Sequence, residues 1–469
     1  MSKIIMALDQ GTTSSRTILY NDKSEAIAMA SEEFACQYPH AGWVEQEAED
    51  IWQSQKNTME AALKKADLTL ADISAIGITN QRETALIWDG ESGKPLYNAI
   101  VWQDTRTADI IEARKSAHQM LTDRTGLPPA TYFSASKLTW MRENVAQVAS
   151  SMEKGSARFG TIDSWLIWKL TGGKVHATDV TNASRTLLMD IRSCEWDADL
   201  LELWKVPESA LPEIRSSIAA TPIGITSADG PLGAEVPIGG ILGDQQAALF
   251  GQACFSRGES KNTYGTGCFL LLNTAEELIR SRFGLLSTVA YRWGKNPVQY
   301  ALEGSVAVAG ALVQWVRDNL GLITESPEIE KLAGSVDDCG GVYFVPAFSG
   351  LFAPHWRSDA RGIVAGLTGY ARAGHIARAV LEATAFQTRA LLEAMEKDSG
   401  LDIPSLRVDG GMVKNELLMQ FQSDILGLPV IRPEVTETTA LGAAYAAGLS
   451  VGFWESKEEL AAQWREDKR

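Results

Sequence analysis

One device in this chain constrains its fold more than any other, and it occurs twice. Near the start, the apolar run at residues 4–8 meets Asp9-Gln10-Gly11-Thr12-Thr13-Ser14-Ser15-Arg16 and passes into a second apolar run at 17–20. Past the middle, a strand-like stretch at 262–264 meets Gly265-Thr266-Gly267 and passes into apolar 269–272. Glycine admits a tight turn, so backbone N–H groups and the hydroxyls of Thr12, Thr13, Ser14 and Thr266 can face a phosphate. Arg16 adds charge-assisted bonds. Asp9, at a strand end, can hold water on a divalent cation or order a nucleophile. Each turn alone also reads as an ordinary hairpin loop whose glycines supply positive φ. Two of them, one in each half, suggest a duplicated unit and together can grip a triphosphate. No GxxxxGK[ST] run occurs, which disfavours the phosphate-loop NTPases.

Around these turns, strand and helix patterns alternate. Strands are expected at 73–78, 84–88, 99–102, 341–346 and 406–408. Helices are expected at 47–66, 143–152, 164–170, 306–319, 374–399, 415–426 and 440–448, with one amphipathic helix after Trp454. The mixture predicts α/β layers, helices on sheets. A chain of 469 residues is long enough for two to four domains. Residues 211–243, rich in Pro, Gly, Ser and Thr, mark a candidate boundary, giving domains of 1–245 and 246–469.

Charge narrows the partners. With 43 basic and 59 acidic side chains the net charge is −16, which repels nucleic acid phosphates and anionic lipid. No run approaches the ~20 apolar residues that span a bilayer, so no membrane insertion is expected. The five cysteines form no CxxC pair, and their odd number reads as reduced thiols in a cytoplasm. No two of the five histidines lie at zinc-ligand spacing.

Three further segments can carry chemistry. Thr79-Asn80-Gln81-Arg82-Glu83-Thr84 sets a donor fork beside an acceptor, which a polyhydroxylated substrate demands because each hydroxyl both donates and accepts. Trp102, Tyr132 and Phe269 can wall its C–H face. The alternatives are a solvated loop with a surface ion pair, and aromatic residues in the core. In Gly243-Asp244-Gln245-Gln246 the carboxylate is a candidate base at a strand end, or a helix cap. Val408-Asp409-Gly410-Gly411-Met412-Val413-Lys414-Asn415 exposes backbone that can lie against a purine or bond its ribose and α-phosphate, or is an ordinary strand-to-helix turn.

Taken together, these segments resemble the FGGY carbohydrate kinases over nearly the whole chain, from Ile4 to about Trp454. Tyr132-Phe133-Ser134-Ala135-Ser136-Lys137-Leu138-Thr139-Trp140-Met141-Arg142-Glu143-Asn144 fits the first family signature. Gly362-Ile363-Val364-Ala365-Gly366-Leu367, with His375-Ile376 and Ala379-Val380-Leu381-Glu382, fits the second. Gly77 to Thr84, Ala99 to Gln103 and Thr181-Asn182-Ala183-Ser184-Arg185-Thr186 look like the glycerol-phosphorylating branch. The resemblance implies a two-domain actin/Hsp70-like ATPase, ribonuclease H-like in each half, around a deep interdomain cleft, with the polyol on the N-terminal and the nucleotide on the C-terminal side.

The resemblance further implies transfer from Mg-ATP to glycerol, giving sn-glycerol 3-phosphate, by a cytoplasmic homo-oligomer. Glycerol would lie against Arg82, Glu83, Tyr132, Asp244 and Gln245, walled by Trp102 and Phe269, with Asp244 as general base. The nucleotide phosphates would meet Thr12, Thr13, Ser14, Arg16, Gly265 and Thr266. Gly310, Gln314, Gly411 and Asn415 would hold the adenosine side, and Asp9 and Asp244 would place Mg²⁺, largely through water. The loop 227–235 carries Glu235 and neither Arg nor His, which argues against the bisphosphate inhibition and phospho-histidine activation of some relatives. The resemblance also implies that relatives run on past the position of Arg469 through a further helix.

Overall fold

The computed structural model describes residues 3–230, 232–348, 350–357 and 359–469. Pro231, part of the expected boundary stretch, lies outside them. The chain forms two units. The first comprises Met1–Ala253, Thr288–Tyr300 and Thr438–Gln463; the second comprises Cys254–Ser287, Ala301–Glu437 and Trp464–Arg469. Residues 211–243 lie inside the first unit and supply three of its strands.

The first unit is built on a six-stranded sheet. Its order is Gly224–Ile225, Pro237–Gly243, Ile73–Asn80, Ile4–Gln10, Ser14–Tyr20, Ala26–Glu33. Residues 4–8 are all apolar and at most 2% exposed, the pattern of a strand covered on both faces. This strand runs antiparallel to Ser14–Tyr20 and parallel to Ile73–Asn80. Helix Ala48–Ala66 covers one face, where Ile51, Met59 and Leu63 join a core with Met6, Leu8, Ile76 and Ile78. Side chains alternate along a strand, so Gly77, between Ile76 and Ile78, points to the other face. Helix Thr438–Ser450 lies there.

That second contact is backbone on backbone. A Cβ on Gly77 would stand 2.1 Å from the Ala443 carbonyl oxygen, and one on Gly240 2.5 Å from the Ala447 nitrogen. Helix Asp244–Gly251 packs on the same helix equally closely: a Cβ on Gly442 would lie 1.9 Å from the Ala247 oxygen, and one on Gly251 1.9 Å from the Thr438 oxygen. Real Cβ contacts are never so short, so these glycines are what let the late helix seat itself.

The second sheet has seven strands: Leu286–Tyr291, Gln299–Val306, Cys268–Ala275, Ser260–Tyr264, Leu406–Asp409, Val430–Pro433, Glu466–Lys468. Ser260–Tyr264 is antiparallel to Cys268–Ala275 and parallel to Leu406–Asp409. The hairpin in the first sheet has the same relation to its parallel neighbour, so the duplicated turn does mark a duplicated unit. Helix Ala373–Ser399 and helix Glu416–Leu426 contribute Val380, Leu391, Leu418 and others to this unit's core.

Three expected elements differ. The helix at 143–152 is two, Ser134–Asn144 and Ala146–Lys154, because Val145 is extended at φ −120 and ψ 101. The helix at 306–319 begins only at Gly310, since Val306 ends a strand. An apolar run such as 306–313 satisfies both periods, and the sheet claimed its first residue. The segment after Trp454 gives helix Lys457–Gln463 but then strand Glu466–Lys468 on the edge of the second sheet. There Arg432 pairs with Asp467 at 2.7 Å.

Gly442→Val will destabilise the first unit by about 3 kcal/mol or more, since overpacking alone costs ~1–3 and here the obstacle is backbone. Urea unfolding followed by circular dichroism measures it; a midpoint within error of wild type would contradict the seat.

Candidate functional site

Two strands that neighbour each other in the first sheet end side by side. Pro237–Gly243 is parallel to Ile73–Asn80, with Gly243 opposite Asn80. The next residues, Gln81-Arg82-Glu83 and Asp244-Gln245, therefore emerge together from the carboxyl ends of the strands, where open α/β sheets bind ligands. Arg82 Nε stands 3.0 Å from Asp244 Oδ1, and Arg82 Nη1 donates to Gln246 Oε1 at 3.2 Å. The approach needs Gly243: a Cβ there would sit 2.7 Å from Arg82 Cδ.

Charges alternate inward from that pair. Glu83 Oε1 lies 4.0 Å from Arg82 Nε and 2.6 Å from Arg185 Nε. The side chains of Arg82, Glu83 and Arg185 are at most 2% exposed, whereas that of Asp244 is 30% exposed. The row is thus two cations and two anions with one carboxylate reaching solvent, not the surface ion pair that the sequence also allowed. Glu83 adopts the left-handed φ of 62, a strained region for a side chain of its size. Ser134 Oγ holds it by donating to the Glu83 carbonyl at 3.0 Å. Asp244 opens helix Asp244–Gly251, where its Oδ1 also accepts the Gln245 N–H at 2.7 Å. A carboxylate at a helix N-terminus is favoured by the helix dipole.

Aromatic side chains adjoin this row. Tyr132 meets Trp102 edge to face, with centroids 5.7 Å apart, and the Arg185 guanidinium lies 5.7 Å from the Tyr132 ring centre. Trp102 Nε1 donates to Thr12 Oγ1 at 3.0 Å, which ties the first Gly/Thr turn to the aromatic wall and leaves the Thr12 O–H able to donate. Trp102 is half-buried and Tyr132 buried. Buried Lys137 donates to the carbonyls of Thr131, Tyr132 and Phe133 at 2.8, 2.7 and 3.1 Å, fixing the backbone that carries Tyr132.

The first Gly/Thr turn is braced from inside. The Gln10 carbonyl accepts from Gln81 N, the Gly11 carbonyl from Gln81 Nε2, the Thr12 carbonyl from Gln46 Nε2 and the Thr13 carbonyl from Phe34 N. In a trans peptide the N–H points opposite to the C=O, so the N–H groups of Thr12 and Thr13 face away from this network. Thr13 is exposed and Ser14 half-buried. Asp9 and Arg16, opposite each other across the hairpin, approach to 3.9 Å.

Within the second unit, the other predicted residues gather at one place. The Gly310 N–H donates to the Gly265 carbonyl at 3.0 Å, and the N–H groups of Ala309 and Ala311 to the Thr266 carbonyl at 2.9 and 3.0 Å. Helix Gly310–Asp318 thus starts against the second Gly/Thr turn, whose carbonyls take its first N–H groups. A Cβ on Gly267 would lie 2.3 Å from the Val306 oxygen, and one on Gly410 2.5 Å from the Tyr264 oxygen. Gly410, at φ 92, brings the 410–415 segment to the same turn. Gly411 has open space beside it, and Thr266 and Gln314 are exposed. Asn415 caps helix Glu416–Leu426, its side chain accepting the Leu418 N–H at 2.8 Å. Phe269 is half-buried on strand Cys268–Ala275 of this unit.

Sequence comparison supplies the family. Residues 4–251 match the N-terminal domain, and residues 260–451 the C-terminal domain, of the FGGY family of carbohydrate kinases. The chain belongs to that family. It is 57% identical to a glycerol kinase of Saccharopolyspora erythraea over 474 aligned positions, covering 100% of this chain and 94% of the relative. It is also 57% identical to one of Brucella anthropi, covering 99% and 93%. Its structure superposes on that of Plasmodium falciparum glycerol kinase with ADP at a TM-score of 0.91 and 39% identity, covering 100% of this chain and 93% of the other. A gluconate kinase from Lactobacillus acidophilus shares the fold, with a TM-score of 0.86 at 21% identity. The two-domain actin/Hsp70-like architecture of the FGGY kinases is therefore that of this chain.

Sequence reasoning singled out Arg82, Glu83 and Asp244 but not the residues that brace them. Arg185 and Gln46 carry no local signal. A cue was available in the FGGY signature itself: Lys137 sits where an apolar residue would pack a buried helix face.

Burial lowers Lys137 to about 7 from its ordinary 10.5, against the opposing pull of Glu83 and Asp104. Between those values the unfolded chain keeps a proton that the folded chain gives up, together with one of the three carbonyl bonds, so this group makes stability rise with pH across the window. Lys137→Met will flatten that rise in urea midpoints measured from about pH 7 to about 10. An unchanged slope would contradict it.

Proposed function

We propose that this FGGY kinase transfers the γ-phosphoryl group of ATP to a terminal hydroxyl of glycerol, with Asp244 as general base. The observation that carries the reading is the Arg82–Asp244 pair: a partly exposed carboxylate, held at 3.0 Å by a buried arginine at a strand end, in a charge row that runs through Glu83 to Arg185 and the Tyr132 ring. Full-length relatives at 57% identity bear the name glycerol kinase, which supports the same substrate.

The chemistry follows from the side chains. Arg82 and Glu83 offer a donor and an acceptor to two vicinal hydroxyls. Asp244 accepts the proton of the third as its oxygen bonds to the γ-phosphorus and the bond to the β,γ-bridging oxygen breaks, releasing ADP. Such a transfer needs little covalent help, so positioning and charge stabilisation supply most of the rate. Trp102, tied to Thr12 and braced by Tyr132, closes the end of the pocket and favours three carbons over a longer polyol.

The N–H groups of the first turn, with Thr13, Ser14 and Arg16, suit the phosphates, as do Gly265 and Thr266. Gly310, Gln314, Gly411 and Asn415 suit the adenosine end. Gly267 and Gly410 let the chain pack directly on the Val306 and Tyr264 carbonyl oxygens, and Gly411 has open space beside it. Asp9 and Gly243 end strands two positions apart in the sheet, about 10 Å between backbones. The Asp9 and Asp244 carboxylates, 16% and 30% exposed, would hold a magnesium ion that keeps several waters. Bound there, Mg²⁺ supplies positive charge to the phosphate oxygens. We place the enzyme in the cytoplasm, where its free cysteines stay reduced. Among the described residues no helix is long and apolar enough to cross a membrane.

Asp244→Asn will keep glycerol binding but lower kcat by ~10² or more, the scale of a lost base. Coupled ADP detection with glycerol, a tetritol and a pentulose measures both turnover and preference. Near-normal turnover of Asp244→Asn would remove Asp244 from the role, and a wild-type preference for the pentulose would overturn the substrate.

A further inference from the structure

We propose that Arg185 is the positioning residue of the polyol site, setting the Glu83 carboxylate and the Tyr132 ring through one buried guanidinium. The inference rests on the reading above, because it assigns Glu83 and Tyr132 to the substrate. Arg185 is completely buried and follows the short helix Val180–Ala183, its N–H donating to the Asn182 carbonyl at 3.0 Å. Asp179 caps that helix by accepting the N–H groups of Thr181 and Asn182 at 3.0 and 2.9 Å, and accepts Ser217 Oγ at 2.7 Å. The same segment reaches the catalytic strand: the Gly243 N–H donates to Thr181 Oγ1 at 2.9 Å, and Asn182 exchanges side-chain hydrogen bonds with Asn80. Arg185 is therefore mounted on the ends of both strands that carry the site.

From that mount it does two things. Its Nε contacts Glu83 Oε1 at 2.6 Å, while its guanidinium carbon lies 5.7 Å from the Tyr132 ring centre and 5.4 Å from that of Phe133, within cation–π range. Lys137 meanwhile holds the carbonyls of the same two aromatic residues. Glu83 is strained at φ 62 and buried, so its carboxylate needs a fixed cation to stand where a hydroxyl could meet it. Arg82 alone would have to serve two acids, Glu83 at 4.0 Å and Asp244 at 3.0 Å. With Arg185 on Glu83, Arg82 stays with Asp244. A lysine would keep the charge but not the planar fork that bonds a carboxylate while stacking on a ring.

The test is a double-mutant cycle on the full chain, with glycerol and ATP kinetics and calorimetric titration of glycerol. Arg185→Met is expected to raise KM and Kd for glycerol by about tenfold or more and to move KM for ATP less than about twofold. In a Glu83→Gln background the same substitution is expected to add little, since the two act through one contact. Arg185→Lys should fall between wild type and Arg185→Met. Should Arg185→Met fail to fold, Arg185→Lys in both backgrounds decides by the same criteria. Multiplying effects of Arg185 and Glu83 substitutions, an equal rise in both KM values, or an unchanged glycerol KM would each overturn the proposal. A wild-type protein that binds no glycerol would overturn the functional reading and this inference with it; glycerol binding with an additive cycle would overturn this inference alone.

Discussion

The first unit depends on a helix from near the end of the chain touching backbone laid down near its start. Helix Thr438–Ser450 lies against strand Ile73–Asn80 at Gly77 and against strand Pro237–Gly243 at Gly240, and helix Asp244–Gly251 meets it at Gly251 and Gly442. Each contact is closer than any Cβ allows. The seat fixes both strands and the helix that continues one of them. Their carboxyl ends are where Arg82 and Asp244 emerge, so the spacing of the two side chains is inherited from backbone packing on the opposite side of the strands. Gly243 extends the same logic by clearing the path of the Arg82 stem.

The site then obeys a charge rule. Four alternating charges sum to zero, and only the terminal carboxylate, Asp244, reaches solvent. Burying an unpaired charge costs several kcal/mol, so each member holds the next in place. A base placed this way is oriented before substrate arrives, which is what a reaction governed by positioning requires. The Gly/Thr turn near it is braced by glutamine donors to its carbonyls, so its N–H edge is preformed as well. The hydrogen bond from Trp102 to Thr12 ties this turn to the aromatic wall, linking two sets of residues that a substrate and a phosphate would touch separately.

Much of this was legible in the sequence, for definable reasons. The continuous apolar run at 4–8 and the repeated Gly/Thr turn announce a central hairpin in each half, and both sheets place it as expected. Arg82 and Glu83 stood out as a donor fork beside an acceptor, and Asp244 as a carboxylate at a strand end. What the sequence hid is burial. Arg82 and Glu83 read equally well as a solvated pair, and only the structure shows them at 1% and 2% exposed side chains. Arg185 lies 102 positions from the acid it holds, and no periodicity links residues so distant. Trp102, the donor to Thr12 Oγ1, is 90 positions away from it, so that tie was hidden as well. The helix expected at 306–319 lost its start to a strand for a related reason: a neighbouring strand, not local preference, decided where the sheet ended.

The central claim is that a preset carboxylate directs a phosphoryl group to a three-carbon alcohol. Phosphorus and carbon NMR of the purified protein with ATP, magnesium and carbon-13 glycerol tests it most directly. The account predicts one new phosphomonoester signal coupled to a terminal glycerol carbon, growing as ATP is converted to ADP. Conversion of ATP to ADP and free phosphate alone, with glycerol present and unlabelled by phosphorus, would contradict it.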